Sequence, residues 1–169
     1  MNLLWPTAQD WVSALCIIAP MYCTNGAPVI FGGGTPIDFG RSFSDGERIL
    51  GDHKTIRGFA SGLIVGFIVA QFESYFVSSS LFFVAVLASL GALLGDLAGA
   101  FVKRRFRIKP GAPLPGVDQL DFVVGAILVV STVFELTVGS LLIIILVTPP
   151  IHIATNIGAY LLRLKSNYW

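Results

Sequence analysis

Five apolar runs leave this chain little choice of solvent: Trp11–Gly34, Gly58–Phe72, Leu81–Val102, Phe122–Glu135 and Leu141–Leu162. A helix needs roughly 20 apolar residues to cross ~30 Å of hydrocarbon. The second and fourth runs are short, which predicts little tilt or a locally thinned bilayer. Of the 169 residues, 54% are hydrophobic and 12% charged, against about 25% charged in an average soluble domain. The expectation is an all-α integral membrane protein with five transmembrane helices. They form a single membrane domain over 1–169, with helices about 8–34, 58–72, 80–103, 120–138 and 140–163 and loops at 35–57 and 104–119. No cleavable signal is expected, since the first segment carries Asp10 rather than a basic region and its apolar run is too long for a signal core.

Charge distribution sets the orientation. Arg41, Arg48, Lys54 and Arg57 lie between the first two runs, Lys103, Arg104, Arg105, Arg107 and Lys109 between the third and fourth, and Arg163 and Lys165 after the fifth. In a five-span arrangement all of them fall on one side, while Asp10, Glu73 and Glu135 fall on the other. The positive-inside rule then puts the N-terminus outside and the C-terminus in the cytoplasm. The protein is expected in the cell membrane as a multi-pass chain with its site facing the cytoplasm. Cys16 and Cys23 stand about 10 Å apart along one helix, too far for a disulfide, and read as apolar helix residues.

Pro20 and Pro28 are expected to interrupt the first helix, and Thr148-Pro149-Pro150 the fifth. Such breaks are tolerated where they face protein or a wet cavity. The first loop, Thr35–Arg57, is too long for a simple turn and carries Phe39, Phe43, Ile49 and Leu50, which predicts a structured cap. Its end, Gly51-Asp-His-Lys54-Thr55-Ile-Arg57-Gly58, is not a P-loop, but Lys54, Thr55 and Arg57 at a helix start suit a phosphate. Gly58, Gly62 and Gly66 on one helix and Gly91, Gly95 and Gly99 on the next predict close helix packing.

Asp96 stands out, because an isolated charge in the bilayer costs at least ~2.5–3.5 kcal/mol. It precedes Lys103 by two helical turns. Asn25 and Asn156 fall at a similar depth on other spans, which predicts a polar cavity opening on the basic side. His152 shares a face with Asn156 but lies deeper. Asp118 and Asp121 begin the fourth helix on one face, where they can cap N–H groups or hold a hard cation. Carboxylates bracketing a basic cluster point to phosphoryl or nucleotidyl transfer, which needs positioning and charge neutralisation.

At these residues the chain resembles the CTP-dependent cytidylyltransferases that make CDP-activated lipids. Lys103-Arg104, Lys109, Leu114-Pro115-Gly116 and Asp118-Gln-Leu-Asp121 follow the order of the phosphatidate cytidylyltransferase signature. Ala100, Pro110 and Gln119 depart from it, and the chain is shorter. Asn25-x-x-Pro28, Pro36-x-Asp38-Phe39-Gly40, Asp45-Gly46, Leu50-Gly51-Asp52-x-Lys54-Thr55-x-Arg57-Gly58 and Gly95-Asp96 resemble the CDP-archaeol synthase family over essentially the whole chain. That resemblance implies Mg²⁺-dependent transfer of CMP from CTP to an unsaturated archaeal ether-lipid phosphate, an isoprenoid glycerol phosphate, releasing pyrophosphate. The expected roles are Asp96, Asp118 and Asp121 for metal and Lys103, Arg104 and Lys109 for the leaving pyrophosphate. Lys54, Thr55 and Arg57 would hold nucleotide phosphate, and Asn25 and Asn156 would orient groups in the cavity. No nucleic-acid partner is expected, and the oligomeric state is left open. Two rival readings are a CDP-alcohol phosphotransferase, whose spaced aspartate pattern is missing, and a small transporter using Asp96 as an ion site.

Overall fold

The computed structural model describes residues 5–110, 112, 114 and 116–165; Pro115 of the loop motif lies outside them. The order is α1 (Ala8–Phe31), α2 (Ile56–Phe76), α3 (Leu81–Arg105), α4 (Val117–Val130) and α5 (Val138–Leu161). Among the described residues there are no strands, only two isolated antiparallel bridges, Pro36 to Thr55 and Ser42 to Arg48. Four helices, α1, α2, α3 and α5, are long and apolar enough to cross a membrane, and the chain is a multi-pass membrane protein.

Helix α4 differs from the expected 120–138. It has 14 residues, about 21 Å at 1.5 Å per residue, short of the ~30 Å hydrocarbon core. Its end is set locally, where the Ser131 and Thr132 hydroxyls donate back to the carbonyls of Leu128 (2.9 Å) and Val129 (2.7 Å). At its start the Asp118 N–H donates to the Leu114 carbonyl at 3.1 Å.

Both proline-containing helices run on without interruption, contrary to the expected breaks. Pro28 cannot donate to Thr24, and the carbonyl so released faces α2, 3.0 Å from where a Cβ on Gly62 would stand. Beside the Pro149-Pro150 pair, the Tyr22 hydroxyl of α1 donates to the Thr148 carbonyl at 2.7 Å. Cys16 and Cys23 are free thiols.

The apolar core joins α1, α3, α4 and α5 through Ile17, Met21, Ala88, Ala92, Phe122, Ala126 and Ile144. Glycines bring the helices together elsewhere. A Cβ on Gly91 or Gly125 would meet backbone of the facing helix, so α3 and α4 touch main chain to main chain. Gly66 of α2 lies against Ser89 of α3 and Thr24 of α1. The outer face of α2 exposes Ile64, Phe67, Ile68 and Phe72, as a lipid-facing helix should.

The loop before α2 is organised around a buried carboxylate rather than its aromatic residues. Phe39 is exposed. The Asp38 side chain is fully buried and accepts from the Leu50 and Gly51 N–H groups, both at 2.9 Å, and from Gly40 N–H at 3.1 Å. Arg48 donates to it at 2.6 and 3.3 Å and also reaches Asp52 at 2.6 Å. Burial alone would raise the Asp38 pKa, but the Arg48 guanidinium and three N–H donors outweigh it and hold the carboxyl well below the usual range. The same pairing pushes Arg48 up. A carboxyl depressed in the folded state adds stability that is complete above the unfolded value of about 3.9 and is lost as pH falls through the folded value. The loop should therefore hold at neutral pH and open only in strong acid. Asp38→Asn should raise protease cutting within residues 35–55 at pH 7 by on the order of tenfold, measured by limited proteolysis in detergent.

Candidate active site

Lys54 stands just before α2, where Thr55 caps the helix by accepting from Gly58 N–H at 3.1 Å. The cap fixes where the chain turns upward, and so where Lys54 points. Its Nζ donates to both oxygens of Asp96 on α3, at 2.6 and 2.7 Å. The intramembrane aspartate thus has a cation from the first loop as partner. Side-chain exposure of 28% for Lys54 and 24% for Asp96 leaves the pair reachable from outside.

A second pair of the same kind lies beside it. Lys103, in the last turn of α3, donates to both oxygens of Asp118 at 2.8 and 3.0 Å. Asp118 also accepts from the Leu114 N–H at 2.8 Å, tying the α3–α4 loop to the start of α4. The α4 N-cap is Gly116, with no side-chain cap bond, so neither aspartate works as a helix cap.

Asp121, one turn on, has no lysine hydrogen-bonded to it among the described residues. Its Oδ1 accepts from the Phe122 N–H at 2.6 Å, and the rest of the carboxylate occupies the space a side chain at Gly99 would fill. Asp121 lies within electrostatic reach of Asp96, Lys54 and Asp118. Behind it, Phe122 is stacked on His152 with ring centroids 6.0 Å apart and meets Tyr22 edge-on at 5.2 Å. His152 packs its ring on Phe122.

The remaining expected residues divide. Arg104 is buried, with no partner for its Nε among the described residues. Arg57 and Lys109 are exposed, and Asn25 is half-buried on α1. Asn156 accepts from Lys165 Nζ at 2.9 Å. Lys165 was not among the expected site residues, although it lies in reach of Asp118, Lys103 and Lys54. The helix ends at Leu161, Arg163 takes a positive φ of 59°, and the chain folds back. No spacing in the sequence signals that reversal. Burial pushes the Lys165 ammonium down in pKa. Arg105 was missed too. It reaches Asp45 at 2.5 Å and the Arg48 carbonyl at 2.6 Å, with Phe43 and Phe101 against its guanidinium, so it clamps the first loop onto α3.

The donor set suits a hard cation, since carboxylate oxygens are what Mg²⁺ takes. As the side chains stand, no three His, Cys, Asp or Glu among the described residues are gathered as a metal cluster. Instead an ammonium group sits in the mouth of each of two carboxylates. A positive charge is already accommodated at both places, so the residues fit a cation there.

The model of the CarS-like CDP-archaeol synthases matches residues 10–169. The chain belongs to the CDP-archaeol synthase family. A family member from Pyrococcus furiosus is 45% identical over 163 residues, covering 94% of this chain and 98% of that one. The CDP-archaeol synthase of Methanosarcina barkeri is 44% identical over 174 residues, 89% of this chain and 99% of that one. A solved structure described as an intramembrane enzyme for archaeal membrane lipids biosynthesis superposes with a TM-score of 0.82 at 36% identity, over 86% of this chain and 94% of that chain. The family membership makes the chain an enzyme, a cytidylyltransferase.

Proposed function

We propose that this chain transfers CMP from CTP to an unsaturated archaeal ether-lipid phosphate, giving CDP-archaeol and pyrophosphate, with Mg²⁺ as cofactor. The observation that carries the reading is the meeting of Lys54–Asp96, Lys103–Asp118 and Asp121 at one end of a membrane bundle of this family. A lipid phosphate oxygen attacks the α-phosphorus of CTP in line, a new P–O bond forms, and the bond to the bridging oxygen breaks with its electrons leaving on pyrophosphate. Lys103 and Arg104 take the charge of the leaving group, with Lys109 at its solvent edge. Lys54 and Arg57 hold nucleotide phosphate, and Thr55 sets the helix start that aims Lys54. Asn25 and Asn156 orient groups deeper in the site, while the isoprenoid tails stay in lipid between helices. Bound Mg²⁺, held by Asp121 with Asp96 and Asp118, supplies neutralisation of the triphosphate. No general base is needed, because the lipid phosphate is already anionic.

The basic residues support an orientation with five membrane crossings, N-terminus outside and C-terminus in the cytoplasm, α4 being the short crossing. That puts the site on the side where CTP is. With CTP, Mg²⁺ and geranylgeranylated glycerol phosphate, the purified protein should release pyrophosphate in step with CDP-lipid formation. No release from any of several phosphate lipids would end this reading.

A further inference from the structure

Asp96 and Asp118 are each closed by a lysine that donates to both carboxylate oxygens, at 2.6 and 2.7 Å and at 2.8 and 3.0 Å. Asp121, within reach of both, has no lysine bonded to it among the described residues and accepts from the Phe122 N–H. A carboxylate whose two oxygens face an ammonium has no good geometry left for a metal ion, and a cation arriving there meets a like charge. Yet the lysines are the groups that triphosphate would attract most strongly. They come from separate elements, Lys54 from the loop before α2 and Lys103 from the end of α3. Their four-carbon stems allow the ammonium groups to turn without moving backbone.

We propose that Lys54 and Lys103 hold the cation positions of Asp96 and Asp118 in the resting enzyme and are displaced onto substrate phosphate when a divalent cation enters. The proposal rests on the cytidylyltransferase reading and adds a mechanism of charge exchange to it. The resting site stays close to neutral within the bundle, since two carboxylates carry two ammonium groups in place of the ion. Metal and nucleotide then bind with positive coupling, because each supplies what the other's arrival displaces. The metal gives the carboxylates a new partner, and the phosphates give the lysines one. A divalent cation alone should bind weakly, and CTP alone weakly, while the two together bind well.

Two measurements that do not need turnover test this. First, Mn²⁺ is titrated into purified protein without CTP or lipid and followed by electron paramagnetic resonance. Lys54→Gln and Lys103→Gln should each bind Mn²⁺ about tenfold more tightly than wild type, while binding CTP more weakly. Lys54→Arg and Lys103→Arg, which keep the charge, should stay near wild type for Mn²⁺. Second, on wild-type protein, lysine acylation read by mass spectrometry should rise at Lys54 and Lys103 when Mg²⁺ alone is raised to a saturating concentration and fall again when CTP follows. Unchanged Mn²⁺ affinity in both Gln variants, or a joint loss of Mn²⁺ and CTP binding, would overturn the exchange and leave the lysines as structural partners. So would acylation indifferent to Mg²⁺, a readout that does not depend on any variant folding. Failure here with pyrophosphate release intact sinks the exchange alone, whereas failure of release sinks the cytidylyltransferase reading.

Discussion

Asp121→Asn should lower CMP transfer by at least about a thousandfold and leave the fold intact. The carboxamide has the carboxylate's shape and still accepts from the Phe122 N–H through its oxygen, so the start of α4 keeps its geometry. What is lost is a carboxyl group that no lysine bonds among the described residues and that lies within reach of both Asp96 and Asp118. Asp96→Asn and Asp118→Asn are less clean tests. Each also unpairs a lysine that is only 28% or 11% exposed, and an uncompensated half-buried charge brings its own destabilisation. The measurement is the initial rate of label transfer from CTP into lipid, beside a thermal melt in the same detergent. Turnover above about a tenth of wild type with an unchanged melt would make Asp121 a packing residue against Gly99 and remove it from the metal set.

Much of this was legible before any coordinates. A carboxylate inside an apolar run has few explanations, so Asp96 stood out as needing a partner. The sequence could not say that the partner is Lys54, because the pairing spans 42 residues and depends on where the Thr55 cap turns the chain into α2. The glycine spacing on α2 and α3 announced close packing, but not that Asp121 fills the space beside Gly99. That follows from the α3–α4 crossing, which no local pattern encodes. The first loop misled in a different way. Phe39, Phe43, Ile49 and Leu50 were expected to give it something to fold with, yet Phe39 is exposed, and what ties the loop together is one buried charge, Asp38, satisfied several times over. Lys165 was hidden by a reversal of the backbone after α5, and the length of α4 by hydroxyls that end it where hydropathy alone would continue it.

A methyl group at Gly99 should disable the enzyme although no charged residue is replaced. A Cβ built there meets the Asp121 side chain, with Cβ at 2.7 Å, Cγ at 2.8 Å and Oδ2 closer still. The carboxyl can rotate away and give up the Phe122 N–H, but the Asp121 Cβ is fixed by the α4 backbone, so α3 and α4 must also part by a few tenths of an ångström. Displacing a reacting group by about 1 Å costs on the order of a hundredfold in rate, and Gly99→Ala should lose at least that much, with a smaller fall in melting temperature than Gly125→Ala. Gly125→Ala should behave in the opposite sense. Its Cβ would run into the Gly91 carbonyl and lie 2.7 Å from the Gly95 Cα, where only separation of the two helices relieves the overlap, so stability falls first. Gly26→Ala meets nothing within 4 Å on α1 and should match wild type in both measurements. Rates and melts for these three variants separate misplacement of Asp121 from loss of the bundle. A Gly99→Ala enzyme with full turnover would show that Asp121 does its work from some other position.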